Sequence, residues 1–285
     1  MSKGQGRSFS WSGATLAGLG VLRREPRVLL TWSLVGLVLT VAQQVMTVNA
    51  DIFRKVNPAS LTAPLLNLAG GVIALGALAI FSAAAYRVVL MPEDRTRARI
   101  RFGRDEIRLA LVWLVQGVLL LFPFLVTVVP VIIATLGASM PFLTLGAFLA
   151  AVLASGWLLA RLSVAGPMAV MEGGWTLPAA WRLTRGRGWK IAGVHLCVVL
   201  MAGAVYWACR VLYGLVVHAM GGQFLIEAGN EATSVAAMLQ PETLIFTLIS
   251  AVLGAAGSAM LYAPAAVIYR DLKGLTPDDQ ASVFD

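Results

Sequence analysis

Charge is what this chain has least of. Asp, Glu, Lys and Arg make up 13% of its 285 residues, where a soluble domain carries about a quarter. A chain of this length folded in water would hide a large core beneath a charged shell. That shell is missing, so the solvent for most of the surface is lipid. A hydrophobic content of 59% and a mean hydropathy of +0.81 agree. Acids are scarcer still, 14 against 22 bases for a net charge of +8. No Asp or Glu falls in the middle of a long apolar run, which removes the usual carriers of proton or sodium coupling.

Cysteine and histidine number two each. Cys197 and Cys209 lie twelve residues apart in one apolar run. On one helix that is about 18 Å, beyond disulfide reach. There is no CxxC pair and no Cys/His cluster, which argues against a structural zinc site. A GxSxG elbow, a P-loop, an HExxH pair and a dinucleotide fingerprint are all absent. Ser and Thr occur without a matched His/Asp set. The sequence offers no catalytic constellation, metal site or cofactor site.

What is present is hydrocarbon in lengths that cross a bilayer, about 20 residues each. Six runs qualify: 28–49, 63–90, 109–136, 140–160, 191–213 and 243–268. The fold class expected is all-α, a polytopic membrane protein of six helices arranged as three hairpins. Pro123 and Pro130 predict a kink in the third span. The fifth run continues toward Met220, and Gly214 is a plausible place for it to bend or leave the membrane. Val48-Asn49-Ala50 loosely resembles a signal-peptide cleavage site. The long polar lead and the length of the first run favour a retained helix instead.

The cations sort by side. The N-terminal arm, the second-to-third and fourth-to-fifth connections and the tail together hold nineteen of the 22. Arg54 and Lys55 lie on the other side, and Arg210 inside the fifth span. The positive-inside rule then puts both termini in the cytoplasm.

Three of the basic segments resemble one another: RREPRVLL from Arg23, GRDEIRLAL from Gly103 and TRGRGWKIAG from Thr184. Arg24, Arg104 and Arg185 are spaced by 80 and 81 residues. Each follows a mixed polar–apolar stretch (8–22, 93–102 and 174–183) and precedes two spans. This reads as a short cytoplasmic interfacial helix followed by a transmembrane hairpin, repeated over 8–91, 93–160 and 174–270 within one domain, 1–275. Residues 276–285 read as a short cytoplasmic tail. The alternative is that any six-span protein has three basic segments on one side.

Small residues recur at fourfold spacing in the even spans: Gly70 with Ala74, Ala79 with Ala83, Gly146-Ala150-Ala154 and Ser250-Gly254-Ser258. Such rows let helix backbones approach closely.

In the opening of the third unit, Thr176 and Pro178 suit a helix start and Gly186 a left-handed end. Leu177, Trp181 and Thr184 share a face, which predicts Trp181 at the headgroup boundary and Trp189 at the entrance to the fifth span. Arg24, Arg104, Arg182, Arg185, Arg187 and Lys190 are the candidate contacts to anionic headgroups. Four cations near an anionic leaflet contribute on the order of 1 kcal/mol each. The candidate intramembrane polar site is Arg210, His195, Gln116 and Asn67. For each there is a plainer reading: Arg210 snorkels beside Tyr206, Trp207 and Tyr213, and the others hydrogen-bond within or between helices.

GLGVLRREPRVLL, PAAWRLTRGRGWKIAG and the closing APAAVIYRDLKG (263–274) resemble a family of bacterial six-span proteins. It comprises the membrane domain fused to some glycerophosphodiester phosphodiesterases and the YciC-like proteins. The closing segment matches the family's Tyr-x-Asp-Leu-Arg/Lys pattern through Tyr269, Asp271, Leu272 and Lys273. The resemblance implies a six-helix inner-membrane module of Gram-negative type, connected with lipid or envelope biology. It transfers no activity, because the phosphodiesterase catalytic domain has no counterpart in these residues. The expected function is a non-enzymatic membrane module that binds or organises lipids through its basic cytoplasmic belt. Its expected partners are membrane lipids with anionic headgroups and a membrane-protein partner, not nucleic acid. The alternative is a transporter or permease for an amphiphile or small anion.

Overall fold

A computed structural model describes residues 9–92, 100, 103–134, 141–219, 236 and 239–275. Among them are ten helices and no strand: α1 Trp11–Thr15, α2 Ala17–Arg24, α3 Pro26–Val56, α4 Thr62–Leu90, α5 Arg104–Ala134, α6 Pro141–Leu162, α7 Ala165–Met171, α8 Leu177–Leu183, α9 Gly188–Ala219 and α10 Pro241–Lys273. Six segments are long and apolar enough to cross a membrane: Pro26–Val56, Thr62–Leu90, Arg104–Ile133, Phe142–Met171, Gly188–Val216 and Thr243–Lys273. The chain is an all-α polytopic membrane protein.

The long helices close into a ring, α3–α4–α5–α6–α9–α10 and back to α3, with α10 also touching α4. Large apolar side chains point outward over much of it, among them Leu34, Leu68, Phe122, Leu153 and Leu200. A face like that is stable only against hydrocarbon.

Interior packing concentrates where the cations lie, the basic end of the bundle. Leu90, Leu109, Val164, Met168, Ile191 and Ile268 belong to one buried cluster there. The short α7 fills the middle of it and brings Gly166 against Tyr86, where an added Cβ would sit 2.6 Å from the phenol oxygen. Trp113 donates its indole N–H to Ser82 Oγ at 3.1 Å and stacks edge-on with Tyr262 at 5.6 Å. A second cluster joins Trp32 to Phe81, rings 6.1 Å apart, and to Ala255, Ala259 and Ala263.

Short helices precede two of the hairpins. α1 and α2 lead into α3–α4, and α8 leads into α9–α10. The stretch 93–102 lies outside the described residues apart from Ile100. Ser10 caps α1 by accepting from the Gly13 N–H at 3.2 Å.

Several local expectations give way. α9 runs through Gly214 without ending, to Ala219. α5 is one continuous helix through Pro123 and Pro130, which is compatible with the expected kink, and Thr127 Oγ1 donates to the Pro123 carbonyl at 2.6 Å. Gly146, Ala150, Ala154 and Gly254 are exposed, and added Cβ atoms on Gly146 and Gly254 would meet nothing within 4 Å. On α10 the row that packs is Ala251-Ala255-Ala259-Ala263, one residue out of step with the expected one. The expected contact role holds for Gly70, Ala79 and Ala83, which are buried.

Candidate anionic-headgroup site

The basic end is assembled by interactions that the linear pattern does not reveal. Arg87 is buried at the end of α4, with Nη2 2.6 Å from Glu106 Oε1 and 3.5 Å from Asp105 Oδ2. Glu106 also accepts the Gly103 N–H at 2.9 Å. It thus satisfies one of the free amides that begin α5, as a glutamate at the third helical position does in a capping box. One buried carboxylate therefore starts α5 and fastens it to α4.

Arg161, at the end of α6, has no carboxylate beside it. Its Nη2 donates to the Trp181 carbonyl at 2.9 Å and its Nη1 to the Thr184 carbonyl at 3.3 Å. Thr184 Oγ1 returns a bond to the Arg161 carbonyl at 3.0 Å. The guanidinium lies 4.2 Å from the centre of the Trp181 ring and 5.6 Å from that of Trp157. Its Nε is buried without a hydrogen-bond partner. A cation at the last carbonyls of a short helix is favourable electrostatically. The result is a buried positive charge beside the α8–α9 segment that carries Arg182, Arg185, Arg187 and Lys190.

This arrangement corrects one expectation for that segment. Thr176 does not cap α8; its hydroxyl donates to the Ala165 carbonyl at 2.9 Å and ties α8 to α7. Leu177 and Thr184 on the same face are buried, while Trp181, engaged by Arg161 and Trp157, stays 38% exposed. Trp175 and Trp189, 61% and 79% exposed, are more open still. Pro178 occupies the first turn of α8, and Gly186 takes the left-handed conformation at φ 78°.

Arg24, Arg104, Arg182, Arg185 and Lys190 are exposed and Arg187 half-buried, and none of the six forms an ion pair among the described residues. Arg182, Arg185, Arg187 and Lys190 surround the start of α9. Gly188 packs there against Arg161, an added Cβ falling 2.8 Å from Cδ. No intrahelical carbonyl receives the first amides of a helix, and their dipoles favour an anion. Four exposed or half-buried cations lie close in sequence to a helix start and to the Trp181 and Thr184 carbonyls that hold a buried fifth. The combination suits a phosphate.

The four polar candidates inside the spans are not gathered into a site. Gln116 is buried and donates to the Leu162 carbonyl at 2.9 Å, serving the break between α6 and α7. His195 bonds through Nδ1 to the Ile191 carbonyl of its own helix at 2.9 Å. Asn67 is exposed on α4. Arg210 is buried toward the opposite end of α9, its guanidinium 4.6 Å from the Phe246 ring and 5.8 Å from Tyr206. Trp207 points outward, so the aromatic support for Arg210 comes from α10 as well as α9. Cys197 and Cys209 are free thiols, and no metal-binding cluster occurs among the described residues.

A third cluster closes the end of α10. Glu172 Oε1 accepts from Tyr269 Oη at 2.7 Å and lies 2.8 Å from Lys273 Nζ. Burial raises the Glu172 pKa, but the hydrogen bonds from Lys273 and Tyr269 and the Lys273 charge outweigh it and hold the carboxyl below its ordinary value. The stabilisation is therefore complete above the ordinary carboxylate pKa and fades as pH falls through the lowered one. Thermal unfolding should show an acid-side loss of stability that Glu172→Gln reduces; an identical pH profile in the variant would remove this role.

Comparison with protein-family models, with curated proteins and with solved structures finds no match to this chain.

Proposed function

We propose that this protein is a non-enzymatic membrane module whose basic end binds the anionic headgroups of the cytoplasmic leaflet of a bacterial inner membrane. The observation that carries the reading is the cluster at the start of α9: Arg182, Arg185, Arg187 and Lys190 without ion pairs among the described residues, beside a buried Arg161 that also lacks one. Arg182, Arg185, Arg187 and Lys190, within nine residues of one another and exposed or half-buried, repel one another, and phosphates relieve that repulsion. Nucleic acid is disfavoured, because Trp175 and Trp189 border the patch at the level where interfacial tryptophans sit. The YciC-like resemblance, resting on short motifs, points the same way.

The orientation is testable directly. In a background lacking Cys197 and Cys209, single cysteines at Arg185 and Lys273 should be labelled only from the cytoplasm, and one at Lys55 only from outside. Reproducible external labelling at Arg185 would take the patch away from the anionic leaflet and end this reading.

A further inference from the structure

α9 and α10 pack against each other, but a gap separates them along part of their length. At the basic end α1 lies between them, contacting both, with Ala14 fully buried and Gly193 facing the Trp11 indole. At the other end Tyr213 packs on Phe246, rings 5.6 Å apart, beside Arg210. The space between is about 370 Å³ and opens sideways; its walls include Val199, Ala202, Gly203, Tyr206, Gly257 and Met260. That is the size of a small-ligand pocket. Added Cβ atoms on Gly203 and Gly257 would meet nothing within 4 Å. Small residues at these positions keep a gap open instead of drawing two backbones together.

Depth identifies what fills it. Counting from Lys190 at 1.5 Å per residue, Val199 lies about 14 Å in, Tyr206 about 24 Å and Arg210 about 30 Å. A hydrocarbon core is about 30 Å thick, so one leaflet's chains reach about 15 Å. The opening therefore begins near the midplane and rises toward Arg210, whose level is about 16 Å beyond Val199. α1 closes the route from the basic leaflet.

We propose that this lateral opening holds one acyl chain of a phospholipid from the leaflet opposite the basic end, with its phosphate at the level of Arg210. The site is separate from the headgroup patch at α9 and stands or falls without it. A zwitterionic lipid is the appropriate probe, since it makes no use of net charge. Full-length protein in detergent is titrated with phosphatidylcholine carrying 16-carbon or 8-carbon chains and examined by native mass spectrometry. The 16-carbon lipid should be retained as one copy, about tenfold more tightly than the 8-carbon one. Gly203→Leu and Gly257→Leu, filling the gap from its two walls, should each lower that retention about tenfold, while Gly146→Leu, on an exposed face of α6 outside both sites, leaves it unchanged. Equal retention of both chain lengths by the unaltered protein would overturn the proposal, and so would wild-type retention by the two leucine variants. If the variants do not fold, the chain-length comparison decides alone.

Discussion

Replacing Arg87 with methionine should destabilise the protein by about 3–5 kcal/mol, the usual cost of removing one partner from a buried ion pair. Glu106 is 4% exposed on its side chain and would be left with the Gly103 N–H as its one hydrogen bond among the described residues. The double variant Arg87→Met/Glu106→Gln should recover much of the loss, because the neutral amide can still accept that N–H and no longer needs a cation. Unfolding in a denaturing-detergent titration measures the two singles, Arg87→Met and Glu106→Gln, and the double. If the double variant is as unstable as the sum of the singles, the pair is not coupled as its 2.6 Å separation implies.

Gly18→Leu should be nearly as damaging, at about 3 kcal/mol or above, beyond the range of ordinary overpacking. A Cβ at Gly18 would lie 2.3 Å from Met260 Cα and 2.8 Å from the Ala259 carbonyl oxygen, and backbone cannot yield as a side chain does. α2 must then lift off α10 and take α1 with it. Gly20, on the same short helix, has nothing within 4 Å of an added Cβ. Gly20→Ala should therefore gain a few tenths to about 1 kcal/mol from helix propensity. Proteolysis at the N-terminal arm, increased by Gly18→Leu and not by Gly20→Ala, reports the detachment. Equal resistance in both would contradict the docked position of α2.

The six spans were legible because each is a long apolar run, and length alone separates them from buried helices of soluble proteins. The short helices before the first and third hairpins were legible from their mixed polar–apolar stretches, α8 also from Pro178 in its first turn and Gly186 beyond its end. The contacts at the basic end were not. Arg87 and Glu106 are nineteen residues apart in sequence, and nothing local distinguishes Arg87 from the other arginines that follow it. Gly103-x-x-Glu106 did carry a capping signal that marks Glu106 as more than a solvated acid. Arg161 reads as one more belt cation until folding places the end of α8 over it. On α10 two small-residue rows interlace, and composition cannot choose between Ser250-Gly254-Ser258 and Ala251-Ala255-Ala259. Only the packing partner decides, and α3 and α2 take the alanines.

Whether the basic end selects anionic lipid is measured most directly by competition. The purified protein is offered equal amounts of anionic phosphatidylglycerol and zwitterionic phosphatidylethanolamine with matched chains, and retained lipid is counted by native mass spectrometry at low and high salt. Each cation near the surface contributes about 1 kcal/mol before screening, so the wild type should prefer the anionic lipid by at least about tenfold and lose most of that preference at high salt. Replacing Arg182, Arg185, Arg187 and Lys190 with glutamine should bring the preference close to unity at low salt. An undiminished preference in that variant, or no preference in the wild type, would contradict headgroup binding at the start of α9.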